Sequence, residues 1–112
     1  MSGMAFDEGL ATRVRDLLAD EDGLVEKKMF GGLAMLLHGN MAVGVHGEGL
    51  IVRAKPADQE ALLAEPGARV FDLTGRPMKG WLLVDPEGCA EDDDLRRWVS
   101  LGVDYARGLP PK

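Results

Sequence analysis

The sequence predicts an α+β domain in two layers: a five-stranded antiparallel sheet with helices in the order α-β-β-β-α-β-β-α. Three observations carry this. Apolar residues recur at helical spacing near both ends of the chain. Between them, short apolar runs sit at strand length, and glycine-rich pairs separate those runs at hairpin distances. Runs of strands with helices set apart imply helices covering one face of an antiparallel sheet. With 112 residues, 46% of them hydrophobic and 29% charged, the expectation is one packed domain over 1–112.

Phe6, Leu10, Val14, Leu17 and Leu18 fall on one helical face, predicting a first helix from about Met4 to Asp20. Asp22-Gly23 stops it. Leu33 to His38 and Met41 to Val45 flank Gly39-Asn40, which reads as a two-residue hairpin turn. Gly47-Glu48-Gly49 turns the chain again into a strand from Leu50 to Ala54. Pro56 opens a short helix that Glu65-Pro66-Gly67 closes, since proline is tolerated in a first turn. Arg69 to Leu73 and Met78 to Val84 read as two further strands around Thr74-Gly75-Arg76-Pro77, and Asp85-Pro86-Glu87-Gly88 as a turn. Asp92-Asp93-Asp94 places negative charge where a helix N-terminus favours it, and Leu95, Trp98, Val99, Gly102 and Ala106 share the face of the helix that follows. In such a sheet Ala42, Gly44, Trp81 and Leu83 are expected to leave a second face partly open.

The string KKMFGGLAM, Lys27 to Met35, breaks an apolar run with two glycines. Glycine weakens a strand interior and often marks a bulge. The expectation is one long strand bent at Gly31-Gly32, with positive φ at one of them at least, turning Lys27, Lys28, Met29 and Phe30 aside.

The formal charge is −6, which argues against a general nucleic-acid or membrane-surface binder, and tight direct DNA binding is not expected. The charge is uneven. Segments 23–55 and 69–84 hold seven bases against three acids, and the remainder holds six against sixteen. A positive sheet region suits an acidic partner or a small anion; it equally suits bases lying beside a sheet while acids cap helices. The single cysteine, Cys89, and the lack of a secretory signal pattern or of roughly 20 consecutive apolar residues predict a soluble cytoplasmic protein.

Catalytic chemistry finds no support. His38 and His46 do not converge, and with Cys89 they are too few for a zinc site, so no metal is expected. Cys89 reads as a small turn residue without an activating neighbour. Gly44 to Gly49 lacks the following helix a phosphate loop needs, so no cofactor is expected either.

EKKMFGGLAMLLHGNMAVGV, then GLIVRA, TGRPMKGWLLVDPEG and a final helix ending ARGLPPK together resemble the TfoX (Sxy) N-terminal-domain family, over about Phe6 to Lys112. The two most specific stretches are Lys28-Met29-Phe30-Gly31-Gly32 and Gly75-Arg76-Pro77-Met78-Lys79-Gly80-Trp81. The resemblance implies a secretion-chaperone-like α+β fold. It also implies a role beside the regulators of natural competence, which act with the cyclic-AMP receptor protein at competence promoters. Longer members carry a second, C-terminal domain, whereas this sequence stops at Pro110-Pro111-Lys112, so a single-domain member is expected.

The resulting expectation is a non-enzymatic protein-binding domain in transcriptional regulation. Lys28, Met29, Phe30, Arg76, Met78 and Trp81 would contact the partner, and Gly31 and Gly32 would shape the backbone. Met and aromatic residues interleaved with charge suit adaptable interfaces. Two rivals stand beside it. One is a homodimeric, chaperone-like domain that binds a peptide by strand addition. The other is a small-anion-binding domain with a pocket uniting Lys28, Arg53 and Arg76.

Overall fold

The computed structural model of the chain describes residues 6–29, 31–72 and 79–111. Helix α1 spans Glu8–Leu18, and its start is set by Asp7, whose carboxylate accepts from the amides of Gly9 at 2.8 Å and Leu10 at 3.2 Å. That cap satisfies two of the first-turn donors a helix leaves unpaired. The helix expected from about Met4 therefore starts later: Phe6, expected on its apolar face, instead forms a bridge with Gly47, while Met4 itself lies outside the described residues.

The strands are β1 (Leu24–Met29), β2 (Gly32–Leu37), β3 (Asn40–His46), β4 (Gly49–Arg53), β5 (Ala68–Val70) and β6 (Trp81–Val84). They form one antiparallel sheet in the order β1-β2-β3-β4-β6-β5. The sheet therefore has six strands, not the expected five. The extra one is β1: Lys27, Lys28 and Met29 do not continue into β2 but fold back on it, with Met29 opposite Gly32. In place of the expected bulge at Gly31-Gly32, the chain reverses between Met29 and Gly32: Gly31 lies in the connection and Gly32 is already the first residue of β2. Gly31 has the anticipated positive φ, +72°, and Gly32 does not.

The next turn also sits one residue earlier than its sequence suggests. Leu37 pairs with Asn40, so His38 (φ 50°) and Gly39 (φ 87°) make the connection. Two successive positive φ values match the twist of a tight hairpin.

A short 3₁₀ turn, Pro56–Asp58, leads into α2 (Gln59–Leu63). The expected turn at Asp85-Pro86-Glu87-Gly88 is a short helix, α3 (Pro86–Cys89), followed by α4 (Asp92–Arg107). The three aspartates fill the first turn of α4, while Glu91 occupies the cap position without a side-chain hydrogen bond. Thr74-Gly75-Arg76-Pro77 and the outer ends of the two strands expected around it, Leu73 and Met78, lie outside the described residues.

Every helix contributes its buried residues to one side of the sheet. Leu10, Val14 and Leu18 of α1 and Leu95, Trp98 and Val99 of α4 pack with Met35, Val43, Val45 and Val52. Trp98 is fully buried, and replacing such a residue with alanine costs about 3–5 kcal/mol. One irregularity lets α4 sit close. The β2–β3 register shifts between Met35 and Leu36, leaving Ala42 as an extra residue, so Ala42 and Val43 both face the helices. A Cβ built on Gly102 would stand 2.3 Å from the Ala42 carbonyl oxygen, so only glycine permits this crossing. The bulge also removes Ala42 from the second face, where strict alternation places it.

Candidate functional site

Strand alternation decides what each candidate residue faces. Residues directly opposite one another share a face. Lys28 stands opposite Leu33, a core residue on the helix side, whereas Val25, Lys27 and Met29 stand opposite Leu36, Ala34 and Gly32 on the other side. Lys28 and Met29 are therefore neighbours in sequence on opposite faces of the sheet.

The second face has its own apolar cluster: Ala34, Met41, Ile51 and Phe71 are buried, and Met29, Leu36, Trp81 and Leu83 pack around them half-exposed. Phe71 meets the ring of His46 edge-on at 5.8 Å between centroids. Among the described residues, no helix contributes to this cluster. Of the expected partner contacts, Met29 and Trp81 belong to it, near its opposite ends on β1 and β6. Phe30, Arg76 and Met78 lie outside the described residues.

The motif glycines have backbone reasons. A Cβ on Gly32 would stand 2.2 Å from the Val45 carbonyl oxygen, so β3 can approach only a glycine there. Gly80 combines a φ of +85° with a Cβ position 2.7 Å from the Ala54 carbonyl oxygen. Its own carbonyl accepts from Ala54 N at 2.8 Å, and its N–H donates to Gln59 Oε1. These glycines fix the backbone that carries Met29 and Trp81.

Sequence reasoning did not anticipate the setting of Arg53. Its guanidinium lies 5.0 Å from the Trp81 ring and 5.2 Å from the ring of Tyr105 on α4. Such stacking holds a cation without neutralising it. The Ala54–Gly80 hydrogen bond brings Lys55 and Lys79 onto adjoining backbone beside it. The alternation of Arg53 with Lys55, followed later by Lys79-Gly80-Trp81, was the available signal.

Ion pairing sorts the bases sharply. Arg13, Arg15, Arg69, Arg96, Arg97 and Arg107 each meet a carboxylate. Arg15 grips Glu26 with two hydrogen bonds, at 2.8 and 3.0 Å, and that contact, with the nearby Glu26 and Glu8 charges, raises its pKa against the opposing effect of burial. Among the described residues, Lys27, Lys28, Arg53, Lys55 and Lys79 meet no carboxylate. Among the described residues, the positive character expected of the strand segments thus lies in five cations without a carboxylate, at the two sides of the sheet. Lys28 and Arg53, which the anion-binding rival would unite in a pocket with Arg76, stand apart: β2 and β3 separate them, three strand spacings or roughly 14 Å, and Arg76 lies outside the described residues.

Cys89 is buried at the end of α3, beside a cleft of about 330 Å³ that Arg13 and Glu48 also line. Burial pushes its thiol up, with Arg13 opposing and Asp85 adding. Arg13 is already committed to Asp92 and to the Ala90 carbonyl, both at 3.0 Å. Among the described residues, no group of three or more His, Cys, Asp and Glu could hold a metal ion, and no helix is long and apolar enough to cross a membrane.

A family model described as the TfoX N-terminal domain matches residues 16–106 of the chain. A comparison with curated proteins returned no match.

Proposed function

The chain belongs to the TfoX N-terminal-domain family, and from that premise we propose that it is a protein-binding domain acting in transcriptional regulation, without catalytic activity of its own. The observation that carries the reading is the second face of the sheet. An apolar cluster whose centre is buried and whose margin holds the half-buried Met29, Leu36, Trp81 and Leu83, with Lys27, Arg53 and Lys79 beside it, has residue types that suit a protein interface: aromatic, Met and Arg, with charge at the rim. The family likeness points to a cytoplasmic transcription regulator as partner, with the cyclic-AMP receptor protein as the candidate. The net charge of −6 supports contact through protein rather than through DNA.

The test is titration calorimetry of the purified chain with the cyclic-AMP receptor protein and cyclic AMP. Micromolar binding that Trp81→Ala weakens at least tenfold supports the reading. Absence of heat at 100 μM, or binding indifferent to Trp81, Met29 and Arg53, overturns it.

A further inference from the structure

Among the described residues, strand β1 is an outer strand of the sheet, paired only with β2. It runs six residues in unbroken register, with no bulge and no proline, and Val25 through Lys28 are exposed. Val25 is 58% exposed, the one large apolar side chain so placed among the described residues. The His38 N–H donates to the Gly23 carbonyl at 3.1 Å, just beyond the start of the pair. Antiparallel alternation then directs the backbone groups of Val25, Lys27 and Met29 to β2, and those of Leu24, Glu26 and Lys28 outward. An outer strand of this kind is a template for a further strand.

Charge selects the occupant. Glu26 is neutralised by Arg15, while Lys27 and Lys28 meet no carboxylate among the described residues. We propose that β1 receives an extended acidic segment of a protein partner as a seventh, antiparallel strand. Two adjacent carboxylates would lie opposite Lys28 and Lys27, one on each face, and apolar side chains opposite Met29 and Val25 would extend the second-face cluster. In the partner's N-to-C direction the order is apolar, acidic, acidic, any residue, apolar.

A second copy of this chain fits worse. Twofold pairing of β1 with itself must oppose residues of the same face. Centred on Glu26 it sets Glu26 against Glu26; centred on Lys27 it sets Lys27 against Lys27, and the two Glu26–Lys28 pairs beside it must draw on a Glu26 that Arg15 already holds. Like charges directly opposite destabilise a strand pair, and each copy carries −6. The same lysines that deter neutral strands favour an acidic one.

This inference deepens the proposed protein-binding role and rests on it. The probe is a blocked seven-residue peptide with two adjacent glutamates between valines in that order, titrated into the ¹⁵N-labelled full chain. The expected result is shifted amides at Leu24, Glu26 and Lys28, with slowed hydrogen exchange there. Binding should fall at least tenfold when the glutamates are replaced by lysines. The exposed double variant Lys27→Glu/Lys28→Glu should reverse the preference between the two peptides. Equal binding of both peptides, or no shift in β1, overturns the proposal. So does a β1-mediated dimer in sedimentation without peptide. Loss of β1 binding with intact Trp81-dependent regulator binding removes only this inference and leaves the proposed function standing.

Discussion

Asn40 Nδ2 donates to the Pro110 carbonyl at 2.8 Å, tying the first residue of β3 to the segment after α4, 70 residues away. Asn40 is 2% exposed and is the one buried polar residue among the described ones. Its position explains the turn beside it. An asparagine drawn into the strand to hold Pro110 leaves His38 and Gly39 to make the reversal.

Removing that amide tests the tie. Asn40→Ala should lower stability by about 1 kcal/mol, the usual net value of one hydrogen bond. Asn40→Asp should cost more above the carboxylate pKa, because it turns a buried anion toward a carbonyl oxygen. Truncation after Leu109 should lose about as much as Asn40→Ala. The two combined should lose little more than either alone in urea melts, and additive losses would refute the coupling.

Gly31 and Gly32 should respond differently to alanine. At Gly31 there is open space and only the left-handed backbone to strain, so the cost is about 1–2 kcal/mol. Gly31→Asn should recover most of it. At Gly32 the new Cβ meets the Val45 carbonyl oxygen, and β2 must separate from β3 to admit it. Denaturant midpoints should therefore fall further for Gly32→Ala than for Gly31→Ala. The reverse order would show that the turn, not the close approach, governs this hairpin.

Cys89 predicts an alkaline limb in stability. Its folded pKa is raised chiefly by burial, so the folded chain holds the thiol proton more tightly than the unfolded chain does. This contribution is complete below the unfolded thiol pKa, about 8.5. It is lost as pH rises from there through the folded value. Wild type should lose more stability between pH 7.5 and 9.5 than Cys89→Ala does. Alkylation of the thiol at neutral pH should track unfolding. Parallel pH profiles would remove Cys89 from consideration.

Duplex DNA of random sequence should bind more weakly than about 1 μM at physiological salt. The chain carries −6 overall, and among the described residues the five cations that meet no carboxylate are split between β1 and the β4–β6 side of the sheet. Few phosphates can be met at once without repulsion elsewhere. Fluorescence anisotropy with a labelled duplex settles it.

Much of this protein is local, and the sequence by itself determined that part. The α+β class, the antiparallel hairpins, and the terminal helix opening on its three aspartates follow from periodicity, turn chemistry and charge near helix ends. So do the positive φ at Gly31 and the excess of bases in the strand segments, since each is written within a few residues. Strand β1 was harder to see, because an outer strand with exposed charge lacks the alternation that marks a half-buried one. Only the tertiary structure decided which face each candidate meets. A one-residue bulge at Ala42 moved that side chain into the helix-side core, and the β1–β2 reversal put Lys28 and Met29 on opposite faces. It also decided that Gly32 and Gly102 serve close approaches to carbonyls, at Val45 and Ala42, and that Arg53 stacks between Trp81 and Tyr105. These relations join residues far apart in the chain. Their energies come from packing and carbonyl geometry that exist only once the sheet has formed.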